Sequence, residues 1–67
     1  MIEKGKQYRV IKDSLNNFKP GDIVVALEDS SGLGFFTRVD DYEEGKEPED
    51  YDNDKYDALE LNEVVEA

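Results

Sequence analysis

The stretch Phe18-Lys-Pro-Gly-Asp-Ile-Val-Val-Ala-Leu27 decides the fold of this chain. Pro20 presets φ at the second position of a turn and Gly21 accepts a positive φ at the third, so the pair predicts a type II turn. Residues 23–28 open with a continuous apolar run, which needs cover on both faces. The stretch therefore predicts a tight turn that leads directly into a central strand of a β-sheet.

Shorter β-like runs flank this central strand. Residues 7–12 alternate apolar and polar side chains, with Tyr8 and Val10 on one face, until Ile11 breaks the pattern. A Ser- and Gly-rich turn at 30–34 precedes a third strand at 35–39. The two strands on either side of that turn therefore predict a hairpin.

The carboxyl-terminal segment 58–65 is ambiguous between strand and helix. Leu59 and Leu61 flank Glu60 and lead into two valines, which fits a short fourth strand, or a single helical turn followed by a fifth. No stretch keeps the apolar spacing of a helix over three turns, so a helical bundle is not expected. We predict an all-β domain of four to five strands. Its core is predicted to contain Tyr8, Val10, Ile23, Val25, Leu27, Phe35 or Phe36, Val39, Leu59, Leu61 and Val64.

The turn sequence, aromatic-x-Pro-Gly-Asp-Ile-Val after a Tyr-Arg-Val-Ile strand, resembles the opening of small SH3-like barrels. The resemblance implies a small SH3-like barrel with a long first loop at 13–21, a three-stranded meander, and a closing turn and strand within 58–65. We expect this fold, with an acidic excursion before the last strand or turn. It also implies a binding module for peptides, nucleic acids or proteins. Gram-positive phages and prophages encode small proteins of similar appearance, which makes a phage protein the expected source. The chain departs from the family at 40–57, where a compact barrel has a short hairpin.

The charge of the chain is distributed unevenly. The 67 residues carry 18 acidic and 8 basic side chains, for a net charge of -10. Residues 1–39 hold five acids and six bases, whereas residues 40–67 hold thirteen acids and two bases. Ten of those acids lie within residues 40–57, hereafter the acidic tract. Carboxylates at this density repel one another and resist burial, so we predict a long acidic loop or excursion within a single domain, 1–67.

The composition also narrows the function classes. Without cysteine or histidine, no disulfide, thiolate nucleophile or ordinary zinc site is expected, which fits a reducing cytosol. The longest apolar run is far shorter than a membrane helix, and the amino terminus lacks a signal-peptide pattern, so we expect a soluble cytoplasmic protein. Paired carboxylates serve some glycosidases, but a domain this small has little room for a water-excluding pocket. We expect no enzyme and no cofactor.

A calcium loop is the metal hypothesis that the acidic tract suggests. Asp50, Asp52 and Asp54 match positions 1, 3 and 5 of an EF-hand loop. Lys55 stands where the turn needs glycine, and Leu61 stands where the bidentate glutamate belongs. We therefore expect no specific metal site, and a metal-responsive switch stays open only if calcium orders the tract.

Tyrosines within the acidic tract point to a protein partner. Tyrosine supplies rigid contact area at interfaces, and carboxylates steer a chain toward a basic surface. The alternative is that Tyr42 and Tyr56 pack on their own domain and the acids only maintain solubility. Direct nucleic-acid binding is not expected because the charge has the wrong sign. The predicted partner-binding residues, with Tyr51 as the anchor, are Asp41, Glu43, Glu44, Glu49, Asp50, Tyr51, Asp52 and Asp54.

We thus expect a non-enzymatic acidic protein that binds a basic host protein. DNA mimicry, in which carboxylates occupy the phosphate positions of a DNA- or RNA-binding partner and inhibit it, is the sharpest form of this hypothesis. The alternative is a structural or assembly module that self-associates through a barrel edge. A monomer or a small homo-oligomer is expected, without membrane contact.

Overall fold

The computed structural model describes residues 1–13 and 16–67. Within these residues, five strands and two 3-10 helices make up the regular structure. The strands are β1 (Gln7–Val10), β2 (Ile23–Ala26), β3 (Leu33–Arg38), β4 (Tyr56–Glu60) and β5 (Val64–Glu66), with the 3-10 helices at Pro48–Asp50 and Leu61–Glu63. The all-β prediction is confirmed. The ambiguous segment 58–65 contains the end of β4, then a helical turn, then the start of a fifth strand. In the described residues, no helix is long and apolar enough to cross a membrane.

All five strands belong to one antiparallel sheet in the order β4-β3-β2-β1-β5. β2 is the middle strand, and Val24, Val25 and Ala26 are all buried, so both of its faces are covered. The turn before it has the predicted form, because Gly21 has a φ of 96° and Asp22 N–H donates to Lys19 O at 3.0 Å. The stretch at 18–27 thus forms the turn and the central strand that its sequence predicts.

The sheet is not closed into a barrel, which differs from the predicted architecture. β4 and β5 are the outer strands, and no ladder joins them in the described part of the chain. The 3-10 helix that links them turns the chain so that β5 pairs with β1, while Leu61 N–H still bonds to Gly32 O on the β3 side. The predicted first loop, 13–21, includes residues 14 and 15, which lie outside the described residues.

One face of the sheet, hereafter the inner face, packs on the main apolar core. Tyr8 and Phe36 meet there edge to face, with ring centroids 5.7 Å apart. Ile2 and Phe18 complete this core although neither lies in a strand. An antiparallel β-bridge to Ser30 places Ile2 in the core, and Phe18 lies in the first loop. The cluster comprises Ile2, Tyr8, Val10, Phe18, Val24, Ala26, Phe36, Leu59 and Val64.

Two predicted core positions are wrong, and a third is only partly buried. Val39 and Leu61 are exposed, and of the two adjacent phenylalanines only Phe36 is buried. Val39 follows the end of β3, and Leu61 begins a 3-10 helix, so the strand alternation that predicted their burial stops before each of them. Ile23, the first residue of β2, is half-buried.

Candidate functional site

The end of the acidic tract is tied to a buried part of the second face of the sheet. Val25 and Thr37 are partners in the β2–β3 register, and both are buried without belonging to the inner cluster. The Thr37 hydroxyl donates to Lys55 O, a carbonyl of the tract, at 2.6 Å. This hydrogen bond satisfies the Thr37 hydroxyl, so the polar side chain can be fully buried, and it joins the end of the tract to β3.

Tyr51 fastens the middle of the tract. Its side chain is 6% exposed, the lowest exposure in the acidic tract. The phenol accepts from Glu43 N–H at 3.0 Å and donates to Glu43 O at 3.3 Å. Lys46 Nζ lies 4.7 Å from the ring centroid, in a cation–π contact. These contacts close the tract on itself.

The burial of Tyr51 corrects the prediction that it is the partner-facing anchor. Its ring is inside the chain's own tract and is not presented to a partner. Packing on the chain's own domain was the alternative for Tyr42 and Tyr56, which are only half-buried. It was not predicted for Tyr51. Burial of a tyrosine among carboxylates has no clear signal in the sequence, because it depends on the backbone of Glu43 eight residues earlier.

Two predicted site residues take part in ion pairs within the tract. Lys46 Nζ lies 3.1 Å from Glu43 Oε2, and Lys55 Nζ lies 3.7 Å from Asp41 Oδ1. The hydrogen bond with Glu43 raises the pKa of Lys46 above its ordinary value. Both lysines thus neutralise neighbouring acids and reduce the repulsion that would otherwise expand the tract.

A third predicted site residue caps the short 3-10 helix. Glu47 N–H donates to Asp50 Oδ2 at 3.0 Å in a capping box, and Pro48 follows at the first helical position. The same Glu47 reaches outside the tract, since its carboxylate lies 3.5 Å from Lys4 Nζ. This exposed ion pair joins the tract to the turn before β1.

The remaining predicted carboxylates are exposed and unpaired. Within residues 1–13 and 16–67 none of them forms an ion pair or a side-chain hydrogen bond, and none is buried. They are Glu44, Glu49, Asp52 and Asp54, hereafter the unpaired carboxylates. The structure thus divides the predicted site into acids and a tyrosine that hold the tract in place and acids that face solvent.

A polar depression of about 240 Å³ lies between these two groups. Its lining contains both signs of charge: Asp41, Glu43, Lys46, Tyr51, Asp52 and Lys55. The two lysines pair with two of its three carboxylates, Glu43 and Asp41. No group of three potential metal ligands occurs among the described residues.

Asn17 ties the end of the tract to the first loop. This contact was not predicted from the sequence. Asn17 N–H donates to Asp57 Oδ2 at 3.0 Å, and its side-chain amide donates to Asn53 O at 3.0 Å and Tyr56 O at 3.3 Å. The Arg38 guanidinium donates to Asn17 O and lies over the Phe18 ring, 5.1 Å from its centroid. A single asparagine in a loop gives no sequence signal for such a distant partner.

The chain was compared with protein-family models, with curated proteins and with solved structures, and none of the three comparisons gave a match.

Proposed function

We propose that this protein is a non-enzymatic interaction protein whose acidic tract binds a basic surface on another protein. The observation that carries the proposal is that the tract is fixed to the sheet while four carboxylates remain unpaired at its surface. An acidic segment kept only for solubility needs no buried tyrosine or capping box to hold its shape. The fixed shape suits recognition.

Preorganisation gives this arrangement its physical advantage. A disordered acidic segment loses conformational entropy when it binds, whereas a tract already held in place loses little. The unpaired carboxylates also accelerate encounter with a positively charged partner through long-range attraction. Affinity should consequently fall steeply as salt is added.

The partner class follows from the charge. A basic protein surface that ordinarily contacts phosphates of DNA or RNA would also accept an array of fixed carboxylates, so we propose a nucleic-acid-binding protein of the cytoplasm as the target. In this form the protein inhibits its target by DNA mimicry, the activity we propose for a phage-encoded protein. The strand order β4-β3-β2-β1-β5 and the 3-10 helix before β5 support an SH3-like relationship, in which binding is the common activity.

The experiment is affinity capture from a bacterial lysate with the native chain and two charge-matched variants. Glu49→Gln with Asp54→Asn removes two unpaired carboxylates. Glu3→Gln with Asp13→Asn removes two exposed acids outside the tract, giving the same net charge. We expect a DNA- or RNA-binding protein to be captured by the native chain and the second variant and to be depleted with the first.

Competition then tests mimicry with the captured protein in purified form. We expect duplex DNA or its RNA ligand to displace the chain, and the dissociation constant to rise with ionic strength. Equal capture by both variants, or a dissociation constant indifferent to salt, would overturn the proposed role of the tract.

Self-association through a sheet edge is the second candidate, and the open sheet is the observation that favours it. The outer edge of β5 has no strand partner within the described residues. β5 is only three residues long, and two copies would bring together net charges of -10 each. Sedimentation that shows a defined oligomer, retained in Glu49→Gln with Asp54→Asn, would favour this candidate, whereas a monomer would dismiss it.

A further inference from the structure

Three exposed apolar side chains lie together where β3 begins and β4 ends. Leu33 is 59% exposed, Phe35 37% and Leu61 39%. Leu33 and Leu61 line a shallow groove of about 330 Å³ together with Gly32, Glu60 and Asn62. We refer to Leu33, Phe35 and Leu61 as the apolar patch. Clustered exposed apolar groups with a polar rim are typical of interaction sites.

The sheet fixes the apolar patch in place. Leu33 and Phe35 alternate with buried Gly34 and Phe36, so they share the outward-facing side of β3. The Phe35 ring meets the Tyr56 ring edge to face at 5.5 Å. Leu61 is held beside them because its N–H donates to Gly32 O at 2.8 Å.

Two acidic side chains border the patch. Glu60 lies opposite Leu33 in the β3–β4 register, and the Glu28 carboxylate accepts from Phe35 N–H at 3.0 Å. Segments 27–36 and 56–63, which carry the patch, contain no lysine or arginine. An occupant of the patch would therefore meet apolar surface bordered by negative charge.

We propose that the apolar patch docks a polypeptide segment of the partner in which aliphatic side chains are flanked by lysine or arginine. The inference rests on the proposed function, because it describes the chemistry of the same basic partner at a second contact. Burial of the aliphatic side chains supplies affinity, and the acidic rim selects the flanking cations. A second copy of this chain fits poorly because it would add its own acids to the same rim.

The probe is a synthetic peptide with two adjacent leucines between runs of lysine, titrated into the isotope-labelled chain and followed by NMR. A matched peptide carries serines in place of the leucines. We expect the leucine peptide to shift the amides of Leu33, Phe35 and Leu61, and to bind about tenfold more tightly than the serine peptide.

Variants locate the contact. Leu33→Ser should weaken the leucine peptide about tenfold, whereas Val65→Ser should leave binding unchanged. Val65 is a matched control because it is 41% exposed and lies on β5, the opposite outer strand. The exposure of both residues predicts that the variants fold, and their thermal melting would verify it.

The outcomes separate this inference from the proposed function. Equal binding of the two peptides, or shifts confined to the acidic tract, would overturn the patch and leave the tract's role standing. Leucine-peptide binding that Glu49→Gln with Asp54→Asn leaves unchanged would support the patch as a contact separate from the tract, whose own role is decided by the capture experiment. Concentration-dependent shifts of the patch without peptide would show that a second copy occupies it, which would also overturn the inference.

Discussion

The inner core and the acidic tract are held together in different ways. On the inner face, side chains such as Phe36 and Leu59 are fully buried in a continuous apolar cluster. The acidic tract is instead fastened by a hydroxyl from Thr37 on the second face, by the ring of Tyr51 and by ion pairs at the surface. Apolar burial is the larger source of stability, since exposed ion pairs contribute little.

This difference separates stability from recognition within 67 residues. The apolar core on the inner face holds the sheet together. The tract presents carboxylates at the surface, which an apolar segment in its place would not do. We therefore expect the tract to loosen before the sheet unfolds, because few buried contacts hold it. Substitutions in each of the two regions test this difference between them.

The largest effect is expected from Phe36→Ala. The side chain is fully buried and meets Tyr8 edge to face, so its loss leaves a cavity in the inner cluster. We expect a loss of about 3–5 kcal/mol in the free energy of unfolding, measured by urea denaturation. Leu33→Ala, at an exposed position of the same strand, is the control and should change stability little. A small loss from Phe36→Ala would contradict the assignment of this face as the core.

Tyr51→Ala should loosen the tract while the sheet remains folded. Removal of the ring takes away the one buried side chain of the tract, at an expected cost of about 2 kcal/mol. Hydrogen exchange should accelerate across residues 41–55 and change little in β1 and β2. Tyr51→Phe keeps the ring and should cost about 1 kcal/mol, because Glu43 N–H loses its acceptor. Uniform acceleration over the whole chain would show that tract and sheet open together.

Local patterns predicted much of the sheet and little of the tract. Alternation at Tyr8 and Val10, and the continuous run after Gly21, predicted β1 and β2 because strand periodicity is a local property. Ile2 and Phe18 were missed because each is an isolated apolar residue whose burial depends on distant contacts. The ties made by Asn17 span 36 to 40 residues and have no local signal. Among the predicted site residues, nothing in the sequence distinguished the four unpaired carboxylates from the acids that form ion pairs or a cap, or indicated the inward position of Tyr51.

Thr37→Val should lower the free energy of unfolding less than Tyr51→Ala does. The substitution keeps the shape of the side chain but leaves Lys55 O without its hydroxyl donor. We expect a loss of about 1 kcal/mol, with faster exchange in the tract at 53–55. Thr37→Ser retains the donor and is the control. A loss from Thr37→Ser with none from Thr37→Val would indicate that the methyl group, and not the hydrogen bond, matters at this position.

The smallest effect is expected at the outer strand β5. Glu66 Oε1 lies 2.5 Å from Lys6 Nζ, and this contact lowers the pKa of Glu66 below 4.5 and raises that of Lys6 above 10.5. The contribution of Glu66 should therefore be full above about pH 4.5 and disappear as the pH falls through its lowered pKa. The contribution of Lys6 should disappear as the pH rises through its raised pKa.

Amide protection of β5 as a function of pH measures this effect. The native chain should lose β5 protection below about pH 4.5, and Glu66→Gln should lack that acid-side loss. An identical pH profile in both chains would show that the ion pair does not contribute to strand pairing.

The central claim is that the acidic tract is a fixed surface before any partner binds. Backbone ¹⁵N relaxation of the partner-free chain tests it most directly, by comparing order parameters for residues 41–55 with those of β1 to β3. We predict values of about 0.8 or higher in both regions, as in rigid backbone. Values below about 0.6 in the tract, with a rigid sheet, would contradict the account, since the carboxylates would then have no fixed positions.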